Sequence, residues 1–461
     1  MDLDILVIGS GPSGQKAAIQ AAKLGKRVAV AERRDRLGGV SIHTGTIPSK
    51  SLREAVIEML AQRPLDVLDP TRQEETEREA VRQLMDRTAK VVAAETAVVR
   101  EQFRRNHVGL LHGDARFEDP HTVRVGDNDE PVRAERIVLA VGTRPARPAS
   151  VEFDDRTIID SDGLLKLERR VPPTMTIVGA GVIGVEYASM FGALGTKVTV
   201  VDQRDRILPF LDAEIGEAFQ YLLRRTNVTF RMREQVTAVV RRDGGASLKL
   251  ASGKDIFSET VLYATGRQGD TEHLGLDRAG LKADKRGRIP VDGQLRTTVP
   301  HIFAVGDVAG PPGLAATAME QGRQAALRAF DEPVDHLPEL VPTGVYAIPE
   351  IGMVGRTEED LTDSAIPYVT GVARWRELAR GLMSGDEEGM LKLLVSIADR
   401  KVLGVHVIGT GATDLVHIGQ AVMGGNATVD FLVTAVFNYP TFAESYKVAA
   451  LDATNRMRSP T

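Results

Sequence analysis

Apolar stretches at the start of the chain follow the spacing of a βαβ unit. Leu3 to Ile8 predicts a strand, and the apolar periodicity from Gln15 to Leu24 predicts a helix. Val28 to Ala31 predicts a second strand, which ends at Glu32. Because a glycine cluster separates the first strand from the helix, the order of elements is that of a nucleotide-binding fold with parallel strands.

The same pattern occurs a second time. Met175 to Val178 predicts a strand, a glycine cluster and a helix to about Leu194 follow, and Val198 to Val201 predicts a strand that ends at Asp202. In both copies the acidic residue lies 23 positions after the first glycine (9 to 32 and 179 to 202). We therefore predict an α/β fold with two Rossmann-like halves in one chain.

The rest of the chain divides into a charged stretch and a C-terminal region. Arg72 to Arg105 predicts one or two long helices with many solvated charges. From about Thr343 onwards, short strands alternate with helical segments, for example Val402 to Val407 and Ala412 to Met423. This alternation predicts a separate α+β domain.

Composition excludes several classes of function. The net charge of −5 argues against a nucleic-acid partner, and the longest apolar runs are too short for a membrane helix. The sequence contains no cysteine, which excludes disulfides, thiolate metal sites and catalytic thiols, and the histidine spacing predicts no metal site. Because no basic or apolar leader precedes the first strand, we expect a cytoplasmic protein.

Each glycine cluster has the spacing G-x-G-x-x-G. Glycine lets the backbone approach a pyrophosphate closely, and the helix N-terminus that follows attracts the anion. The acid that ends the second strand is placed to accept hydrogen bonds from a ribose hydroxyl. One such motif is weak evidence, but two complete copies indicate two dinucleotide sites, hence hydride exchange between a tightly held flavin and a nicotinamide.

A third segment supports the flavin assignment. His301 to Asp307 predicts a strand that ends in Gly-Asp, where the carboxylate could bond a ribityl chain. The helix predicted from Leu314 to Ala326 would present its N-terminus to the flavin and stabilise negative charge on the reduced ring.

The run from Gly38 to Lys50 resembles the active-site segment of the pyridine nucleotide-disulfide oxidoreductase family, which includes dihydrolipoamide dehydrogenase and glutathione reductase. Matching motifs extend over essentially the whole chain, up to 439–445. The resemblance implies an FAD-binding domain in two parts (1–150 and 271–340), an NAD(P)-binding domain (151–270) and a dimerisation domain (341–461). It implies a homodimer and leaves a larger homo-oligomer open.

The departures from this family are informative. Dithiol members have Cys-x4-Cys in the active-site segment, where this chain has Ser41 and Thr46. They also have a histidine base before the C-terminal Pro-Thr, where this chain has Tyr439. Since thiols and base are both missing, dithiol–disulfide exchange has no mechanism here.

Within the family, the segments 44–50 and 437–444 resemble those of the soluble, Si-specific NAD(P)+ transhydrogenases. Many members of that subfamily keep a cysteine at the position of Ser41, which is a departure that removes no step of hydride transfer. The resemblance implies ping-pong transfer between NADPH/NADP+ and NADH/NAD+ through FAD, with Lys50 paired to Glu186. The alternative for that pair is an ordinary surface ion pair.

The predicted site residues fall into three groups. The catalytic candidates are Lys50, Glu186, Tyr439 and Glu444, the last with a structural alternative because it has lost the histidine it would orient. The FAD candidates are Gly9, Gly11, Ser13, Gly14, Glu32, Arg33, Gly39, Ser41, Lys50, Ala115, Gly142, Asp307, Leu314 and Ala315. The NAD(P) candidates are Gly179, Gly181, Ile183, Gly184, Glu186, Asp202, Arg204 and Gly266.

Two questions stay open at this level. Asp202 favours the 2′-hydroxyl of NAD and repels a 2′-phosphate, whereas Arg204 and Arg206 either offset that repulsion or are solvated loop charges. An NAD(P)H:quinone reductase and a non-enzymatic redox sensor are the competing functions, because both use the same two dinucleotide sites.

Overall fold

The computed structural model describes residues 1–62, 74–126, 131–165, 170–334 and 337–458, and the side chains of residues 62 and 74–81 are not described. Arg72, the predicted start of the charged helical stretch, lies outside these ranges. Among the described residues, no helix combines the length and apolar character needed to cross a membrane.

The N-terminal unit begins with the predicted βαβ order. The bounds of its elements are β1 Asp2–Ile8, α1 Pro12–Lys23, β2 Val28–Glu32, α2 Gly39–His43, α3 Thr46–Gln62, α4 Glu74–Arg105, β3 Gly109–His112, β4 Ala115–Asp119, β5 Thr122–Val125, β6 Val132–Leu139 and β7 Thr143–Pro145. Helix α1 begins three residues before the predicted start because Pro12 occupies its first turn, where a missing N–H costs nothing.

The second unit repeats this order and adds an antiparallel sheet. Its elements are β8 Ile158–Asp160, α5 Ser161–Leu164, β9 Thr174–Val178, α6 Val182–Ala193, β10 Lys197–Asp202, α7 Ala213–Arg225, β11 Val228–Met232, β12 Val236–Arg242, β13 Gly245–Leu250, β14 Asp255–Ser258 and β15 Thr260–Tyr263. Strands β11, β10, β9, β15 and β8 form one parallel sheet in that order, and β12–β14 form the antiparallel one.

The next stretch returns to the first unit. It contains β16 Arg267–Gly269, a 3₁₀ turn Leu276–Ala279, β17 Ile302–Ala304, a 3₁₀ turn Gly306–Val308 and α8 Ala315–Ala329. Strand β17 pairs in parallel with β6, which completes a seven-stranded sheet whose other strands follow the order β3-β2-β1-β6-β5-β4. Helix α8 packs against α1 so closely that a Cβ at Gly322 would overlap the backbone of Ser13.

The C-terminal unit is an antiparallel five-stranded sheet with helices. Its elements are β18 Thr343–Val345, β19 Ile351–Gly355, α9 Glu358–Asp363, β20 Tyr368–Arg374, a 3₁₀ turn Trp375–Glu377, α10 Ala379–Ser384, β21 Met390–Ser396, β22 Val402–Ile408, α11 Ala412–Gly424, α12 Val429–Thr434, a 3₁₀ turn Phe442–Glu444 and α13 Ser445–Arg458. The strand order is β18-β19-β22-β21-β20. The predicted fold class, two Rossmann-like units and a C-terminal α+β unit, is confirmed.

Candidate active site

The two glycine turns have nearly the same backbone geometry. Gly9 has φ of 105° and Gly179 has φ of 111°, values that favour glycine. A Cβ on Gly9 would overlap the carbonyl oxygen of Ala140, and one on Gly179 would overlap that of Ala264. Each glycine turn therefore packs against the residue that follows a neighbouring strand, β6 for the first turn and β15 for the second.

The second and third glycines of each motif have different tasks. A Cβ on Gly14 or Gly184 would overlap the backbone of the first glycine of its own turn, which fixes glycine at both positions for packing. Apart from the adjoining residues of the chain, the described part of the protein has no atom within 4 Å of where a Cβ on Gly11 or Gly181 would lie. Glycine at these middle positions keeps the helix N-terminus accessible to an anion.

The first glycine turn opens into a cleft of about 1000 Å³, including space open to solvent. Most of the predicted FAD residues line it: Gly9, Gly11, Ser13, Glu32, Arg33, Gly39, Ser41, Ala115, Gly142, Asp307 and Ala315. Within the described residues, Gly14, Lys50 and Leu314 are not part of that lining. Gly14 has the packing role given above, and Leu314 is the residue that caps the N-terminus of α8.

Glu32 lies at the cleft, buried, with both carboxylate oxygens hydrogen-bonded to the chain. Its Oε2 accepts from the backbone N–H and the hydroxyl of Ser10, at 3.0 and 2.6 Å. Its Oε1 accepts from the backbone N–H of Arg34 at 2.9 Å. A carboxylate has further lone pairs, so Glu32 is held rigidly and can still accept from a ribose hydroxyl.

Asp307 and the start of α8 also line the cleft. Asp307 accepts a hydrogen bond from the Thr143 hydroxyl at 3.2 Å, and Gly306 before it has φ of 74°. The free N–H groups at the first turn of α8 begin at Ala315, which lines the cleft. A cleft lined by two helix N-termini, one at the glycine turn and one beside Asp307, fits a dinucleotide that ends in a flavin ring.

The segment that resembles the family's active-site run lies along the same cleft. Gly38 and Gly39 have φ of 116° and 62°, and a Cβ on Gly39 would come within 2.8 Å of the Gly11 Cα. This contact seats the segment against the glycine turn. Ser41 in α2 and Thr46 at the start of α3 both line the cleft, so hydroxyl groups stand where dithiol members of the family would have their sulfur atoms.

Lys50 and Glu186 form the predicted pair and join the two units. The Lys50 ammonium donates to both oxygens of Glu186, at 3.0 and 2.8 Å. Glu186 also accepts from the backbone N–H of Tyr346 at 2.8 Å, and Lys50 lies 5.0 Å from the centre of the Tyr346 ring. Since the side chain of Glu186 is only 5% exposed and that of Lys50 is 24% exposed, this is not an ordinary surface pair.

The second glycine turn carries Asp202 at the end of β10. Asp202 accepts from the backbone N–H groups of Ala180 (2.6 Å) and Arg204 (2.8 Å), which repeats the bonding of Glu32. The Arg204 guanidinium adds two further bonds, at 2.9 and 2.6 Å. Burial raises the pKa of Asp202, but the bonds from Arg204 and Ala180 outweigh it, and its pKa is lowered overall. Asp202 therefore remains ionised.

The remaining NAD(P) candidates surround this turn. Ile183 lies in the first turn of α6, one residue before Gly184, and Gly266 follows β15 with φ of 121°. Gly142 occupies the matching place after β6, with φ of 66°. Each of the two chain reversals next to the glycine turns thus contains a glycine with positive φ.

Tyr439 and Glu444 are not brought to this site within the described residues of one chain. Neither side chain lines the cleft, and no hydrogen bond joins either to Lys50 or Glu186. Tyr439 is 67% exposed, near Val436, which is 95% exposed. Glu444 has a buried Oε2 without a hydrogen-bond partner among the described residues. Within the described ranges of a single chain, neither residue makes a contact that would give it a catalytic role.

The cleft is also lined by residues that the sequence did not single out, among them the polar residues Arg34, Thr143, Asp270 and His273. Arg33 forms an ion pair with Asp270 across the cleft, and Arg267 donates from Nε to the Thr143 hydroxyl at 2.8 Å. Thr143 begins β7 and Asp270 directly follows β16, positions that the local sequence pattern does not mark as functional. Their contacts are formed between distant parts of the chain, which no local pattern reports.

Comparison with known proteins identifies the same family that the sequence motifs resemble. The family model described as pyridine nucleotide-disulphide oxidoreductase matches residues 3–322, and that of its dimerisation domain matches 341–450. A protein named soluble pyridine nucleotide transhydrogenase from Mycobacterium tuberculosis is 56% identical (99% of this chain, 98% of the relative), and one from Hahella chejuensis is 42% identical (98% of each).

Solved structures agree at lower identity. The flavoprotein disulfide reductase RclA from Escherichia coli superposes with a TM-score of 0.88 at 25% identity, covering 97% of this chain and 99% of that one. LpdA from Mycobacterium tuberculosis gives 0.88 at 25% identity, covering 99% and 100%. The chain therefore belongs to the pyridine nucleotide-disulphide oxidoreductase family.

Proposed function

We propose that this protein is a pyridine nucleotide transhydrogenase, an enzyme that transfers hydride between NADPH/NADP+ and NADH/NAD+ through bound FAD and without a redox disulfide. The observation that carries the proposal is the chemistry of the active-site segment, where Ser41 and Thr46 line the cleft in place of two thiols. Relatives at 42–56% identity over nearly the full length bear the name of this activity.

The fit of the cleft to FAD supports the cofactor assignment. FAD, when bound, supplies a ring that accepts hydride from a reduced nicotinamide and returns it to an oxidised one. Gly9, Gly11 and the N-terminus of α1 would hold its pyrophosphate, and Glu32 its ribose. Asp307 would hold the ribityl chain, and the N-terminus of α8 would favour negative charge at the pyrimidine end of the ring.

The second glycine turn would bind the nicotinamide dinucleotides in turn. Gly181 and the N-terminus of α6 would receive the pyrophosphate, and Asp202 with Arg204 would face the adenosine ribose. Lys50 and Glu186 join the two units and would hold the two dinucleotides in a fixed relation. One site can serve both substrates because the oxidised donor leaves before the acceptor binds. This order of binding is called ping-pong exchange.

We extend this proposal to assembly and location. The C-terminal unit would form a homodimer, in which Tyr439 and Glu444 reach the partner's site from the exposed segment around 436–439. The domain division at 150, 270 and 340, the Si-specific stereochemistry of transfer and the cytoplasmic location belong to the same proposal.

The decisive experiment is anaerobic. FAD-loaded protein is mixed with NADPH and the thionicotinamide analogue of NAD+, and the reduced analogue is followed by its absorbance. We expect many turnovers per flavin. Flavin reduction without reoxidation by NAD+ would indicate a redox sensor instead, and faster electron transfer to a quinone than to NAD+ would favour the quinone reductase.

A second assay addresses the missing thiols. Dihydrolipoamide and glutathione disulfide are offered under the same conditions, with NAD+ or NADPH as the partner. We expect no turnover with either, because the chain contains no cysteine to exchange with them. Measurable activity with one of them would overturn the argument from Ser41 and Thr46.

A further inference from the structure

The loop that follows Asp202 is held on several sides. This loop, residues 203–212, connects β10 to α7. The N–H of Leu208 donates to the Ala180 carbonyl at 3.4 Å, beside the second glycine turn. The carbonyl of Arg204 accepts from the N–H of Arg233 at 2.9 Å. The loop is thus fixed against its own unit before the C-terminal unit is considered.

A buried charge cluster ties the end of this loop to the C-terminal unit. The Lys392 ammonium pairs with Asp212 at 2.8 Å, with Glu214 at 2.9 Å and with Glu358. The side chains of Lys392 and Asp212 are fully buried. Three carboxylates this close could hold a metal ion, but the ammonium already contacts all of them, so we interpret the cluster as an ion-pair anchor. It fixes α9 against the loop.

The next residue of α9, Glu359, contacts an arginine of the loop. Its Oε1 lies 3.2 Å from Nη1 of Arg206 and also accepts from the N–H of Ala213 at 3.2 Å. Its Oε2 is buried and has no hydrogen-bond partner among the described residues. Nη2 of Arg206 donates to the carbonyl of Pro209 at 2.8 Å. Both side chains of the ion pair are about two-fifths exposed, so the pair is weak and easily exchanged.

The two arginines of the loop therefore have different partners. Arg204 is bound to Asp202 through two guanidinium nitrogens and is needed to neutralise that carboxylate. Arg206 is held instead by an acid from another unit of the protein. A 2′-phosphate is a dianion that matches a guanidinium better than a single carboxylate does, whereas a 2′-hydroxyl has no such preference.

We propose that Glu359 sets the preference between NADP(H) and NAD(H) by competing with the 2′-phosphate for Arg206. On binding of NADP(H), Arg206 exchanges the Glu359 carboxylate for the phosphate. On binding of NAD(H), the Arg206–Glu359 pair stays closed. The proposal rests on the proposed function, in which one site serves both dinucleotides. Glu359 acts through Arg206 and is a positioning residue.

The test measures binding of NADP+ and NAD+ to the FAD-loaded protein by calorimetry, without turnover. Glu359→Gln removes the charge but keeps an oxygen that can accept from the Ala213 N–H. We expect NADP+ to bind about fivefold more tightly, as for loss of a weak surface ion pair, and NAD+ to be unchanged. Arg206→Met should weaken NADP+ by about tenfold, and in that background Glu359→Gln should have no effect.

A matched control is available at the other end of α7. Arg225 pairs with Glu388 of the C-terminal unit at 2.6 Å, and both side chains are about half exposed. Glu388→Gln removes a similar bridge far along the helix from the loop and should change neither affinity. Thermal melting of each FAD-loaded variant checks that it is folded.

The outcomes separate this inference from the proposed function. Three results would each overturn the inference. Glu359→Gln could change the affinities for NADP+ and NAD+ equally, or leave the NADP+ affinity unchanged. Its effect on NADP+ binding could also persist when Arg206→Met is present. If the Glu359→Gln protein does not fold, the Arg206→Met variant is sufficient as a test: unchanged NADP+ affinity in that variant would overturn the inference. Absence of hydride transfer in the unmodified protein would reject the proposed function and leave these binding ratios measurable.

Discussion

The two glycine turns have nearly the same backbone geometry, but the acidic residues beside them, Glu32 and Asp202, are held by different groups. In the first, buried Glu32 is fixed by the backbone and hydroxyl of Ser10. In the second, Ala180 offers a backbone N–H alone, and the guanidinium of Arg204 completes the bonding of Asp202. A small neutral group thus supports the first acid, whereas a long charged side chain that is 42% exposed supports the second.

This difference agrees with one resident and one exchangeable dinucleotide. A rigid, buried support suits a ligand that stays bound, because its geometry never has to change. A partly exposed charged side chain suits a ligand that binds and leaves, because such a side chain can adjust at low cost. The two copies can therefore have the same turn and still differ in how long they hold their ligand.

The largest expected effect concerns the anchor of the second copy. Lys392→Met would leave fully buried Asp212 without its cation, next to two further carboxylates. Breaking a buried pair in this way costs about 3–5 kcal/mol. We expect a marked drop in the thermal or urea midpoint of the FAD-loaded protein.

Lys401→Met is the control for that variant. Lys401 lies just before β22, and its pair with Asp399 is long (3.7 Å) and about half exposed on both sides. Its removal should change the free energy of unfolding by about 0.5 kcal/mol or less. Similar losses in the two lysine variants would contradict a buried anchor.

The next effect distinguishes the two copies directly. An alanine at Gly14 or Gly184 would overlap the first glycine of its own turn. Such overlap weakens binding at that turn by about tenfold to a hundredfold. Gly14→Ala should lose bound FAD, seen as a lower ratio of flavin to protein absorbance. Gly184→Ala should stay yellow but bind NADP+ and NAD+ weakly.

Gly216→Ala controls for the substitution itself. Gly216 lies in α7, and outside the backbone of that helix no atom of the described residues lies within 4 Å of where its Cβ would be. Both ligands should bind normally, and stability should rise by up to about 1 kcal/mol because alanine favours the helix. If Gly184→Ala lost FAD to the same extent as Gly14→Ala, the two turns would not bind separate ligands.

Local pattern predicted the parts of the site that are continuous in sequence. The strands, glycine turns and terminal acids of both copies follow from apolar spacing and from the need for a bare backbone, as at Gly9 and Gly179. The Lys50–Glu186 pair could be expected only through the family resemblance. Periodicity alone does not connect residues this far apart in the chain.

Contacts between segments that lie far apart in the sequence could not be predicted. The Arg33–Asp270 pair and the Lys392 cluster depend on how separate sheets pack, and their residues stand in charged, unremarkable stretches of sequence. Tyr439 and Glu444 are a different case. Their predicted role needs a second chain, so one chain alone leaves that role a prediction.

A smaller effect concerns the link between the two copies. Lys50→Met removes the cation that joins α3 to α6 and leaves Glu186 with the Tyr346 N–H. We expect flavin reduction by NADPH to slow by about tenfold in stopped-flow traces, less than for loss of a donor that touches the reacting atom. Adding Glu186→Gln to Lys50→Met should restore the free energy of unfolding, because no unpaired carboxylate is left, but should not restore the rate of flavin reduction. An unchanged rate would return Lys50 to a structural role.

The smallest effect is expected at Ser41, in the segment that faces the first copy. Ser41→Ala removes a hydroxyl from the cleft but no group that the hydride transfer requires. Hydride transfer from NADPH to the thionicotinamide analogue should stay within about twofold of the unmodified rate, since a solvent-accessible hydroxyl contributes little. Thr46→Ala, at the exposed second thiol position, serves as the comparison and should behave alike. A loss beyond about tenfold in Ser41→Ala alone would mean that the hydroxyl contributes to the reaction and that the absence of thiols is not the whole explanation of this site.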